Sequence, residues 1–234
     1  GLARAGVTIY QNSPVLRVGR EGAGVVLETP KGSVSARQAV IATDGYSDLT
    51  VATAPVRTGI IPFRSAMIVT EPLGEAAASV PFTDGRSFAE TRRMMRWFRK
   101  VGDRLLYGGR GAFGKDDSEA AFEALKTAMF KQFPQLAGKE ITHRWSGLVS
   151  LTMDSLPHLG RVDDRIVYAV GYNGTGVAMS STMGKYAAAV VAGESPDLGL
   201  LTARPLKQVP MYAVREPAVR MVAGWYQFLD AIGR

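Results

Sequence analysis

With 234 residues, 46% of them hydrophobic and 21% charged, the chain has the composition of one large or two small folded domains with real cores, not of a disordered segment. It contains no cysteine, which excludes disulfides, cysteine–zinc sites and cysteine nucleophiles and fits a reducing, cytoplasmic setting. The net charge of +7 raises nucleic acid as a partner, but the cations are scattered except in TRRMMRWFRK (Thr91–Lys100), and no RNA- or DNA-binding pattern accompanies that stretch. It reads first as the solvated face of a strand pair and second as a surface for an acidic ligand. No apolar run approaches the ~18 residues of a membrane span, and the longest, Tyr186–Ala192, reads as a turn or two of buried helix.

In chain order, GLARAGVTIY reads as the last turn of a helix running into a strand at Val7–Tyr10, as though the chain were truncated at its N-terminus. Strands follow at Pro14–Arg20, Gly24–Thr29 and Val34–Arg37, with the apolar run Ala39–Ala42 closing a small antiparallel meander and buried on both faces. The loop ATDGYS comes next, at the C-terminal end of a strand, where ligands collect in open α/β sheets. From Ile60 the strands lengthen: IPFRSAMIVTEPL, MMRWFRK and DRLLYGGR, with turns at VGD and around Asp84 and Gly85. Asp117 and Ser118 cap an amphipathic helix whose Phe122, Leu125, Met129, Phe130 and Phe133 keep helical spacing until Pro134 ends it. The strand RIVYAV leads to GYNGTG, then to a helix over Val177–Ala192 stopped by Gly193, and a last amphipathic helix lies in AVRMVAGWYQFLDAIG.

Three glycines within Gly171–Gly176, between a buried strand and a helix, let a flat or anionic group lie against backbone whose first-turn N–H groups are unpaired. The spacing G-x-x-G-x-G is neither a dinucleotide fingerprint nor a phosphate loop, so close helix–strand packing and a ligand are both open readings. GRGAFG (Gly109–Gly114) matches G-x-G-x-x-G, but Lys115–Ser118 separate it from the next helix, and it reads as a hairpin exit. His143 and His158 show no clear carboxylate partner and read as local hydrogen-bonding residues; Asp154 reads as a turn cap. The side chains offer no convincing acid, base or nucleophile set, so catalysis would need a cofactor.

The order of the segments W-S-G, T-x-D-x-x-P-x-x-G, strand and G-Y-N-G-T-G-V resembles the C-terminal part of the D-amino-acid-oxidase-like FAD oxidoreductases. ATDGYS, IVTEPL and the ending GWYQFLDAIGR are similar to that family too, most of all to its γ-glutamylputrescine oxidase-like branch. The resemblance implies an α/β (α+β) fold: the remnant of a FAD-binding Rossmann-like domain (residues 1–57 and 142–204), an antiparallel-sheet substrate lobe with a covering helix (58–141), and a C-terminal arm and helix (205–234). It implies non-covalent FAD contacts at Val15, at Ala42, Thr43, Asp44 and Gly45, at Trp145 and Gly147, at Asp154, Pro157 and Gly160, and along Gly171, Tyr172, Asn173, Gly174, Thr175, Gly176 and Val177. An amine or amino-acid substrate would meet Phe63, Arg64, Trp97, Arg99 and Arg144. The family's dinucleotide-binding unit has no counterpart in this sequence, so a separate N-terminal fragment or subunit is an expected partner; the rival reading is a non-catalytic module with a basic surface.

Overall fold

The computed structural model describes residues 2–80, 85–110, 118–201 and 205–233. In chain order the elements are β1 (Arg17–Glu21), β2 (Gly24–Thr29), β3 (Gly32–Ala36), β4 (Ala39–Ile41), the short α1 (Ala54–Arg57), β5 (Ile61–Thr70), β6 (Ser87–Ala89), β7 (Arg96–Val101), β8 (Arg104–Arg110), α2 (Glu119–Gln132), β9 (Ile141–Leu151), β10 (His158–Arg161), β11 (Ile166–Val170), α3 (Gly176–Val191) and α4 (Arg215–Ala231), with several single 3-10 turns between them. They form two compact units: residues 1–60 with 150–209, and residues 61–149 with 210–234.

The first unit is layered. Strands β1, β2 and β3 pair as an antiparallel meander, with Gly22 supplying the positive φ (53°) that its two-residue hairpin turn requires. A second sheet has the order β10-β11-β4. All five residues of β11 are buried, and its alternation divides them between two cores. Ile166, Tyr168 and Val170 join Val25, Ile41, Val56 and Ile60 on the meander side. Val167 and Ala169 join Leu159, Tyr172, Met183 and Ala187 under α3. A strand covered on both faces is a continuous apolar run, which is how RIVYAV reads.

Three expectations need correction. The N-terminus holds a 3-10 turn at Leu2–Ala5, and Val7–Tyr10 is not a strand. The run Ala39–Ala42 does not close the meander; β4 pairs in parallel with β11, Ala39 opposite Ile166, and is not buried on both faces, since Val40 is 44% exposed. Of the run Tyr186–Ala192 only Ala187 is buried, because α3 lies on the sheet along one narrow stripe.

The second unit is a sheet of order β6-β7-β8-β5-β9 with α2 across one face. Phe122, Leu125 and Met129 of α2 pack on Ala66, Ile68, Phe98, Leu105 and Tyr107. Phe133 stands edge-on to both Phe98 and Tyr107. The helix ends where expected, its last turn closed by Phe133 N–H to the Met129 carbonyl just before Pro134. Ser118 occupies the N-cap position without a side-chain cap bond, and Asp117 lies outside the described residues, as do Asp84 and most of GRGAFG. Helix α4 is fixed through Asp230, whose carboxylate accepts from the Arg93 and Met94 amides at 3.2 and 2.9 Å.

Candidate functional site

The glycine turn between β11 and α3 is built from the inside. Asp44, itself at φ 42°, sends its carboxylate to the Gly171 amide (2.8 Å) and accepts from the buried Ser150 hydroxyl (2.5 Å). Asn173, at φ 52°, uses its side-chain oxygen to accept from the Thr152 amide (3.0 Å) and its amide group to donate to the Gly171 carbonyl and the Thr152 hydroxyl, while its backbone N–H bonds the Ser150 carbonyl. Tyr172 is buried and donates its hydroxyl to the Ala169 carbonyl; burial, reinforced by the Asp44 charge, pushes its phenol above the ordinary value of 10.0. These side chains are spent on shaping the turn, so its outer surface is main chain.

The three glycines serve different ends. At Gly171 (φ 84°) an added Cβ would overlap the Thr152 methyl, so this glycine answers to packing. At Gly174 (φ 94°) a Cβ would meet nothing within 4 Å, and at Gly176 it would meet only the Tyr172 side chain, at 3.7 Å. Thr175, the N-cap residue of α3, gives its hydroxyl to the Tyr172 carbonyl and does not cap the helix. The next residue, Val177, is 98% exposed. The result is a helix N-terminus without a side-chain cap: the Ala178 and Met179 amides bond the Thr175 carbonyl, and the partial positive charge of the helix end falls at Gly176 and Val177.

The remaining predicted cofactor residues fall as follows. Ala42 and Thr43 are exposed, Gly45 is buried, and Thr43 exchanges a hydroxyl bond with Ser47. Val15 lies two residues before β1, its carbonyl held by the Thr50 hydroxyl at 2.6 Å. Gly160 faces Tyr168 across the β10–β11 ladder, where a Cβ would overlap the phenol ring. Pro157 follows the turn that starts β10, and Trp145 and Gly147 lie on β9 in the second unit.

Asp154 does more than cap a turn. Its carboxylate takes the His158 imidazole at 3.0 Å and the Leu156 amide at 3.3 Å, and His158 is 4% exposed. His158 therefore has the carboxylate partner that the sequence reading denied it. Burial pushes the Asp154 carboxyl up, but the bonds from His158 and Leu156 outweigh it and hold the group below the usual 3.8. Ser150 and Thr152, which organise the turn, carry no pattern in the sequence beyond being small polar residues at the end of a strand.

The five predicted substrate contacts divide between the two faces of the second unit's sheet. Phe63, Trp97 and Arg99 share the face away from α2, where the Trp97 indole donates to the Met67 sulfur (3.1 Å) over Gly108 and Arg110 lies 5.9 Å from the Phe63 ring centroid. Arg144 pairs with Glu119 and lies over Phe122, both of α2, and Arg64 donates to the Ser146 hydroxyl at 2.7 Å. Among the described residues no group of acidic and histidine side chains could hold a metal, and no helix is long and apolar enough to cross a membrane.

A family profile described as "FAD dependent oxidoreductase" matches residues 1–190. The chain belongs to this family. The chain is 30% identical to the probable oxidoreductase OrdL of Haemophilus influenzae and 29% identical to the gamma-glutamylputrescine oxidoreductase of Escherichia coli, over 98% and 97% of its own length. It spans 54% of each of those relatives. Among solved structures, glycine oxidase from Geobacillus kaustophilus superposes with a TM-score of 0.69 at 23% identity, over 89% of this chain and 55% of that one, a likeness of fold. Family members are FAD-dependent, and the mixed helix-and-sheet architecture with antiparallel sheets is the one the sequence implies.

Proposed function

We propose that this chain forms part of an FAD-dependent oxidoreductase that oxidises the C–N bond of an amine or amino acid, and that the α3 N-terminus receives the edge of the flavin ring. The observation that carries the reading is the first turn at Gly174–Val177, without a side-chain cap and shaped from behind by Asp44 and Asn173. The fit is physical: a glycine with free space above it admits a flat ring, and N–H groups at a helix end favour negative charge placed there. Bound FAD would supply the hydride acceptor. The chain's part is to hold that edge on the amides of Gly176 and Val177 and to keep the turn rigid, so that its donors need no reorganisation during the reaction. The gamma-glutamylputrescine and glycine oxidase names among the similar proteins support an amine or amino-acid substrate. On the other unit, the half-buried Trp97 and the exposed Arg99, beside the buried Phe63, place aromatic and cationic groups suited to a substrate with an apolar body and a carboxylate on one face. A separate chain completing the cofactor site belongs to the same proposal.

Titrating FAD into the purified chain and following flavin fluorescence tests the reading. Saturable quenching is expected, weakened at least ten-fold by Val177→Asp, which sets a negative charge beside the helix end. Because Val177 is 98% exposed and an acidic residue suits a first helical turn, that variant should fold as well as the parent. An absence of saturable binding, or equal binding by the variant, would overturn the assignment.

A further inference from the structure

The second unit contains a cleft that the proposed oxidation does not use. It runs along α2 as two neighbouring cavities of about 550 and 650 Å³, sizes typical of small-molecule sites. Both are lined by Arg92, Arg96, Ala124 and Lys131, so they share a wall. In the first cavity α4 adds Gln227 and Asp230. The space exists because α2 turns Ala120, Ala124 and Ala128 toward it, residues one helical turn apart with no side chain long enough to fill it.

Among the described residues the cleft's carboxylates are Glu90, 4.0 Å from Arg96, and Asp230, already engaged by the Arg93 and Met94 amides. Those two amide bonds, against a smaller opposing effect of burial, hold the Asp230 carboxyl below its usual range and keep it ionised. Among the described residues Arg92 and Lys131 have no carboxylate within ion-pair distance. Among the described residues three cations, Arg92, Arg96 and Lys131, therefore face two carboxylates in an open concave space, where mutual repulsion of the cations is relieved by an incoming anion. Guanidinium groups are suited to bidentate pairing with phosphate or carboxylate oxygens, and Lys131 adds a point charge.

We propose that the cleft between α2, the β7–β8 end of the sheet and α4 is a binding site for a small polyanion carrying at least two negative charges, either a phosphate-bearing or a polycarboxylate metabolite. It lies on the helix face of the sheet, opposite Phe63, Met67 and Trp97, and stands whether or not the flavin reading does. A ligand held by Arg96, Lys131 and Arg92 would tie α2 to the α4 end already anchored by Asp230, so occupancy should stiffen the C-terminal helix.

Isothermal titration of the full chain with pyrophosphate and with citrate, at constant ionic strength and with acetate as monoanion control, tests this. Saturable one-to-one binding of either polyanion is expected, and which of the two binds identifies the source. The double variant Arg92→Ala/Lys131→Ala should weaken it at least ten-fold, while Arg17→Ala, on the first unit's surface, should not. Ala124→Phe, which fills the shared wall without changing charge, should abolish it and covers the case in which the double variant fails to fold. Non-saturating heats, acetate binding as well as either polyanion, indifference to Ala124→Phe, or tighter multi-site binding of a single-stranded oligonucleotide would each overturn the proposal.

Discussion

At the scale of single residues, two glycines of the turn, Gly171 and Gly176, make opposite predictions. Gly171→Ala places a Cβ at positive φ and into the Thr152 methyl, so a loss of about 2–4 kcal/mol is expected. Gly176→Ala meets only an ordinary contact with Tyr172 and should stay within about 1 kcal/mol of the parent. Urea unfolding of the pair measures the difference; equal losses would mean that backbone shape does not distinguish the two positions. Asp154 gives a signed pH prediction. Its folded-state pKa is depressed, so its contribution is complete above the ordinary value of 3.8 and is lost as pH falls through the lower folded value. Asp154→Asn should therefore narrow the stability gap between neutral and acid pH, read from thermal melts at pH 7 and near pH 3. His158 and Asp154 stand four apart outside any helix, so periodicity gave no hint of their pairing. The family resemblance named Asp44 and Asn173 among the FAD contacts; their side chains bond the turn itself.

At the scale of elements, the legible ones carried their own period. Helix α2 announced itself through Phe122, Leu125 and Met129 and through Pro134, and β11 through an unbroken apolar run. What the sequence could not supply was partnership. Nothing in Ala39–Ile41 names Ile166–Tyr168 as its neighbour, because a three-residue strand has too few side chains to specify a register over so long a separation. Val7–Tyr10 has strand-like residues but forms no strand, since β propensity describes fit to a neighbouring surface more than a preference of the backbone. The α2 stripe is a packing element with a measurable stake. Met129 is 0% exposed, and Met129→Ala should cost about 2–5 kcal/mol, seen as a lowered melting temperature. A change under about 0.5 kcal/mol would contradict close packing at that site.

At the scale of the molecule, burial is unevenly shared. In the first unit β11 is covered by the meander on one face and by α3 on the other, whereas α4 in the second unit keeps only Ala223 buried and exposes Trp225 and Phe228. Amide exchange should follow that order, slowest at Val167–Val170 and fastest among these elements in α4 away from Asp230. Mass spectrometry of peptides spanning both elements checks it, and equal protection would refute the ranking. The lengthening of the strands near Ile60 coincides with the passage of the chain from the first unit to the second, while the layering of the first unit depended on the β4–β11 pairing and stayed hidden.

The inward use of Asp44 and Asn173 has a practical corollary for anyone probing the flavin reading. If recognition at the start of α3 rests on main-chain amides, alanine scanning across that turn is nearly blind to it, because deleting side chains leaves every recognising atom in place. The informative edit is chemical: replacing the amide at Val177 with an ester by protein semisynthesis removes one N–H and leaves the side chain untouched. Loss of flavin affinity in that single-atom variant would register a binding group that no codon change can delete.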